Sequence, residues 1–212
     1  MTESAVTVAS SEVRGTLVRR AQALAWAGIA WHLVEFAVAV GAGIAASSVA
    51  LIGFGLDSLI ELFAALIVIW RFSAGRSTSA AAERRAQRML AVSFFLLAAY
   101  VWAETARSLA LGLRPEVSWL GMGLAAVSVP TMVLLARAKR RVGERLDSGV
   151  TIGEGVQNLL CAYLSIGLLI GLGLNALFGY WWADPVAAAV IGIVAVREGR
   201  ESWKGRDCCD SC

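Results

Sequence analysis

Asp57 and Glu61 stand four residues apart in the apolar segment Gly55-Leu56-Asp57-Ser58-Leu59-Ile60-Glu61-Leu62. On a helix that spacing puts both carboxylates on one face, one turn apart. The run around them, about 47–70, is long and apolar enough to cross a bilayer. A carboxylate at that depth costs a few kcal/mol unless it is paired, protonated or bound to a cation. No basic residue lies between Ser47 and Trp70, so neither acid has a partner on its own helix. The chemistry open to such a pair is cation binding inside the membrane.

A second polar stripe lies further along. Glu154, Gln157, Asn158 and Cys161 follow helical spacings of three, four and seven on an otherwise apolar segment. Carboxylate, amide oxygen and thiolate all ligate metals, with hard to borderline-soft preferences. Amides and small residues also glue spans together, as Gly167 and Gly171 do by their spacing. Cys161 is two turns, about 10 Å, from Glu154 along the axis. A tetrahedral ion sits only about 2.0–2.3 Å from each ligand. That distance argues mildly against one ion shared by Glu154 and Cys161, so Asn158 or Gln157 is the favoured complement from this stripe, with Cys161 and water left open.

Two other intramembrane pairs read as structural. His32 and Glu35 are three apart and either satisfy each other or hydrogen-bond to a neighbouring helix, and Glu104 with Arg107 fits an ion pair near the outer end of its helix. Together Glu35, Asp57, Glu61, Glu104 and Glu154 outnumber the bases at depth, His32 and Arg107. The surplus must be neutralised by protons or a metal ion.

The elements that position these groups follow from composition. Hydrophobic residues make up 58% of the 212-residue chain and charged residues 17%, which excludes an ordinary soluble domain. The sequence predicts an all-α, polytopic membrane protein with six spans, at about 23–45, 47–70, 89–112, 117–137, 150–177 and 181–200. Asp184-Pro185 starts the last span as a capping acid and a first-turn proline, and Trp181 and Trp182 suit the interface. Arg14, Arg19 and Arg20 precede span 1. Arg71, Arg76, Arg84, Arg85 and Arg88 fall between spans 2 and 3, and Arg137, Lys139, Arg140, Arg141 and Arg145 between spans 4 and 5. Arg197, Arg200, Lys204 and Arg206 end or follow span 6, whereas the opposite loops hold Arg114. Both termini are thus expected in the cytoplasm. The net charge of +3 is topological and gives no hint of nucleic-acid binding.

The expected organisation is a cytoplasmic segment at 1–22, a six-helix transport domain at 23–203 and a short tail at 204–212. The polar first twenty residues do not read as a cleavable signal peptide. The tail cysteines Cys208, Cys209 and Cys212 would stay reduced in the cytoplasm and could capture a soft metal. They lack the folded helix-start setting that activates redox thiols.

Four points in order resemble the cation diffusion facilitator family of divalent-metal transporters: Trp31-His32-Leu33-Val34-Glu35, Gly55 to Glu61, Gly153-Glu154-Gly155 and Trp182-Ala183-Asp184-Pro185. The resemblance runs over about 26–203. It implies six spans with cytoplasmic ends and export of a zinc-like ion in exchange for protons. It also implies a tetrahedral site from helices 2 and 5, each giving two ligands four apart. The helix-2 pair maps onto Asp57 and Glu61, and the helix-5 acid onto Glu154.

The chain departs from the family at Val150, where histidine or aspartate is usual, and at Glu61 and Glu154, where aspartate is. The usual cytoplasmic C-terminal domain does not follow the last span, so this reads as a short form. The expectation is a multi-pass inner-membrane transporter, not an enzyme, with no resident cofactor. Its cargo would be Zn²⁺, Cd²⁺, Co²⁺, Fe²⁺ or Mn²⁺. Its partners would be that cation, protons, the lipid bilayer and a second copy in a homodimer formed through the spans. The rival reading is a non-transporting membrane protein of this fold that binds a partner.

Overall fold

The described part of every apolar run folds as α-helix in the computed structural model, which describes residues 2–45, 49–73, 76–112, 119–178 and 183–205. The order is α1 (Thr2–Ala45), α2 (Val49–Phe72), a single 3-10 turn at Arg76–Thr78, α3 (Ala80–Leu111), α4 (Trp119–Leu146), α5 (Gly149–Phe178) and α6 (Ala183–Lys204). No strand occurs among the described residues. Trp181, Trp182, Arg114 and the tail cysteines lie outside them.

The bundle is inside-out relative to a soluble protein. Asp57 and Glu61 are each 2% exposed, while Leu59, Phe63 and Leu66 on the same helix are 40%, 39% and 43% exposed. Polar groups facing in and large apolar groups facing out is the arrangement that a lipid solvent selects. Among the described residues, four helical stretches are long and apolar enough to cross a membrane: Glu12–Ala45, Ala80–Leu111, Trp119–Leu146 and Gly149–Ile170.

Helix α3 begins before its apolar run because Ser79 caps it, accepting a hydrogen bond from the Ala82 N–H, and it ends at Gly112 in the left-handed region, φ 58°. Helix α4 likewise outruns its apolar stretch. The residues from Arg137 to Arg145, expected as a loop, continue the helix to Leu146. They are good helix formers, and Arg140 pairs with Glu144 four residues on at 2.9 Å. Only Asp147 (φ 52°) and Ser148 separate α4 from α5. Asp tolerates the left-handed conformation that the turn requires.

So short a turn makes α4 and α5 antiparallel neighbours, and α1 packs along α2 and α3 along α6 in the same way. Glycines set the closest approaches. A Cβ on Gly155 would stand 3.0 Å from the Ala136 carbonyl oxygen, and one on Gly153 would stand 2.4 Å from Leu90 Cδ2. These glycines flank Glu154, so α5 comes against α4 and α3 just where its acid points inward. Helices α1, α2, α4 and α5 enclose the polar centre.

Candidate metal centre

Two overlapping groups of ligand atoms converge in that centre, and Glu61 belongs to both. Asp57, Glu61 and Cys161 each place one ligand atom within 4.8 Å of the others, and so do His32, Glu35 and Glu61. All five side chains are buried, with exposures of 2% or less. Among the described residues neither carboxylate oxygen of Asp57 has a partner in hydrogen-bonding geometry. Glu61 Oε2 lies 3.2 Å from His32 Nδ1 but lacks hydrogen-bonding geometry. Unpartnered carboxylate oxygens at this burial carry a desolvation cost that a bound cation would offset.

Helix direction explains this grouping. Antiparallel α2 and α5 pair Glu61 with Asn158, whose Nδ2 is 3.3 Å from Glu61 Oε1. One turn further along α5, Cys161 meets Asp57 and Glu61. One turn the other way, Glu154 falls outside both groups. The axial offset between Glu154 and the helix-2 pair is therefore built into the bundle.

Glu154 instead meets a lysine. Lys139 Nζ is 2.8 Å from Glu154 Oε1, and the two side chains are 1% and 2% exposed. The bases at depth thus include Lys139 beside the expected His32 and Arg107. Lys139 lies on the helical extension of α4 and turns inward, since a helix carries its charges round all faces while a loop would leave them in water. Gly28 on α1 makes room for it, because a Cβ there would stand 2.9 Å from Nζ.

Lys139 also donates to Asn158 Oδ1 at 2.7 Å. An ammonium has only donors, so the amide oxygen must face it. The amide nitrogen then faces the acids and donates toward His32 Nε2 at 3.2 Å. His32 therefore keeps its proton on Nδ1, which donates to Glu35 Oε2 at 2.9 Å. Ser128 of α4 donates to Glu35 Oε1. The expected His32–Glu35 pair exists, but it opens onto α2, α4 and α5 rather than closing on itself.

The remaining sequence candidates fall as follows. Gln157 is buried but turns to α3, where its Oε1 accepts from Ser93 Oγ at 3.1 Å. Val150 is fully buried in the apolar core. Arg107 and Glu104 pair at 3.3 Å, with Arg107 44% exposed. The structure thus gathers Asp57, Glu61 and Asn158 and adds Cys161, His32 and Glu35. Glu154 and Gln157 stand one step away.

Residues 25–204 match the family model described as the cation efflux transmembrane domain. Over 183 residues the chain is 25% identical to transmembrane protein 163 of Xenopus laevis, covering 85% of this chain and 65% of that protein. It is 26% identical over 183 residues to an uncharacterized transporter of Synechocystis sp., covering 82% of this chain and 59% of that protein. The chain thus spans less than two thirds of the length of these relatives.

Proposed function

The chain belongs to the cation efflux family, a transporter family and not an enzyme family, and from that premise we propose that it carries a divalent cation out of the cytoplasm in exchange for protons. It is a multi-pass helical membrane protein with a buried His/Glu/Cys cluster suited to a divalent metal. The observation that carries the proposal is Asp57, which lies with Glu61 and the Cys161 thiol and whose two buried carboxylate oxygens have no hydrogen-bond partner among the described residues. The transport designation of one relative supports the same reading.

In this reading all six helices span the membrane with both termini in the cytoplasm, following the basic residues. Asp57, Glu61 and Cys161 bind the ion, and Asn158 joins when its amide turns. Glu154 acts through Lys139, and Gln157 tethers α5 to α3. Ligands must lose their protons before the metal enters, so binding releases protons and couples the two fluxes. Helix pairs rock about the site to alternate its access. One thiolate among carboxylates favours Zn²⁺ and Cd²⁺ over Mn²⁺. Two copies would associate through the spans.

Counter-flow in proteoliposomes with Zn²⁺, Cd²⁺, Co²⁺, Fe²⁺ and Mn²⁺, with and without an imposed pH gradient, tests this. Uptake of Zn²⁺ and Cd²⁺ that accelerates with the gradient supports it, and no uptake of any ion contradicts it. The rival, a non-transporting partner protein, is favoured by the Lys139 ammonium already seated on Glu154. It predicts metal binding without flux.

A further inference from the structure

We propose that His32 and Glu35 of α1, with Glu61 of α2, form a second cation position beside the one built on Asp57 and Cys161, the two sharing Glu61 as their common ligand. This rests on the functional reading above and extends it to α1, which the helix-2 and helix-5 pattern leaves out.

Three observations carry the proposal. One imidazole nitrogen and two carboxylate oxygens, from two different helices, lie within 4.8 Å of one another. Nitrogen with two oxygens suits a borderline divalent ion such as Zn²⁺ or Co²⁺. Second, the oxygen that Glu61 turns to this group, Oε2, is buried and has no hydrogen-bond partner among the described residues. It lies 3.2 Å from His32 Nδ1, an ion-pair distance when the imidazole is protonated.

Third, the far side of each α1 ligand faces a polar side chain from another helix. Ser128 donates to Glu35 Oε1, and Asn158, whose Nδ2 lies 3.2 Å from His32 Nε2, would hold an Nδ1-ligating imidazole once its amide turns its oxygen to the Nε2–H. Outer contacts of this kind fix the orientation of metal ligands. A pair serving only each other would need neither.

The two positions differ in ligand type, so they can be told apart. The Asp57–Glu61–Cys161 position contains a thiolate, whereas the His32–Glu35–Glu61 position is made of nitrogen and oxygen alone. An ion moving between them exchanges Asp57 and Cys161 for His32 and Glu35 while Glu61 stays bound. That gives α1 a direct part in passing the ion.

The test is Co²⁺ and Zn²⁺ binding to the purified full chain in detergent, in a background where Cys208, Cys209 and Cys212 are changed to serine. The combined variant Asp57→Asn with Cys161→Ser removes the first position's own ligands. It should still bind Co²⁺, within about a hundredfold of the parent affinity, without thiolate charge-transfer absorbance. Adding His32→Asn or Glu35→Gln should weaken that residual binding by about tenfold or more, and Glu61→Gln alone should weaken binding at both positions. Each variant is taken forward only in its monodisperse form, and His32→Asn and Glu35→Gln serve as independent checks on each other. Loss of all binding in the Asp57/Cys161 variant, with the parent still binding, overturns this proposal and leaves the functional reading standing. Residual binding indifferent to both His32→Asn and Glu35→Gln overturns it too. A parent that binds neither ion overturns both.

Discussion

Lys139 donates a 2.7 Å hydrogen bond to Asn158 Oδ1, and that contact turns the amide nitrogen, not the oxygen, toward the acids. Asn158 cannot ligate a cation while Lys139 holds it. If an ion takes His32 Nδ1, the imidazole proton moves to Nε2 and needs an acceptor. Asn158 supplies one by turning over, and Lys139 then withdraws to Glu154 alone.

Lys139→Met should therefore tighten divalent-ion binding by about tenfold or more, since a competing positive charge leaves and the amide is freed. The same change strands Glu154 without its partner. Removing one member of a buried pair costs about 3–5 kcal/mol, so the metal-free variant should melt well below wild type. Calorimetry with and without Zn²⁺ checks both halves. Adding Glu154→Gln should recover most of the metal-free stability and lose part of the affinity gain.

Gly28→Ala should reproduce a milder form of that phenotype. The new Cβ would stand 2.9 Å from Lys139 Nζ, so the ammonium must shift from its seat. Overpacking of this kind costs about 1–3 kcal/mol. The expected result is a modest loss of thermal stability with a gain in Zn²⁺ affinity, in the same direction as Lys139→Met. A loss of affinity would mean that the seat of Lys139 supports metal binding.

Much of this was legible in the sequence, and the parts that were not share a cause. Spacing alone placed Asp57 with Glu61, and the stripe from Glu154 to Cys161, on single helix faces, because helical periodicity is local. Spacing cannot say which turn of α5 meets which turn of α2. That register depends on packing, so Cys161 rather than Glu154 arrives beside Asp57. From the sequence Lys139 reads as a charge between spans 4 and 5, because apolar length locates the end of a span, not of a helix. The two-residue turn at Asp147 and Ser148 keeps α4 helical to Leu146. Spacing pairs His32 with Glu35 and leaves bonds to a neighbouring helix open, but it cannot name Glu61 as the group they face.

Cys161→Ser should shift preference from Cd²⁺ and Zn²⁺ toward harder ions such as Mn²⁺, because the only thiolate among the ligands is lost. The readout is relative uptake of the three ions in counter-flow. In a chain lacking the tail cysteines, Cd²⁺ should give a thiolate charge-transfer band that vanishes with this substitution. A band that persists would remove Cys161 from the site.

Deleting residues 207–212 should leave transport largely intact, since the buried ligands are complete without the tail. A loss as large as that of Glu61→Gln would instead give Cys208, Cys209 and Cys212 a part in delivering or gating the ion. Zn²⁺ uptake into inverted vesicles, normalised to expressed protein, distinguishes the two.

If a divalent ion crosses the membrane on Asp57 and Glu61, Zn²⁺ flux into proteoliposomes must differ between wild-type and Asp57→Asn protein. Asn keeps the side chain's shape and removes the charge, and relieving an unpartnered buried acid should leave folding intact or improve it. The expected result is saturable uptake by wild type and none above the empty-liposome background for a well-folded Asp57→Asn protein. Wild-type rates in that variant would contradict the assignment.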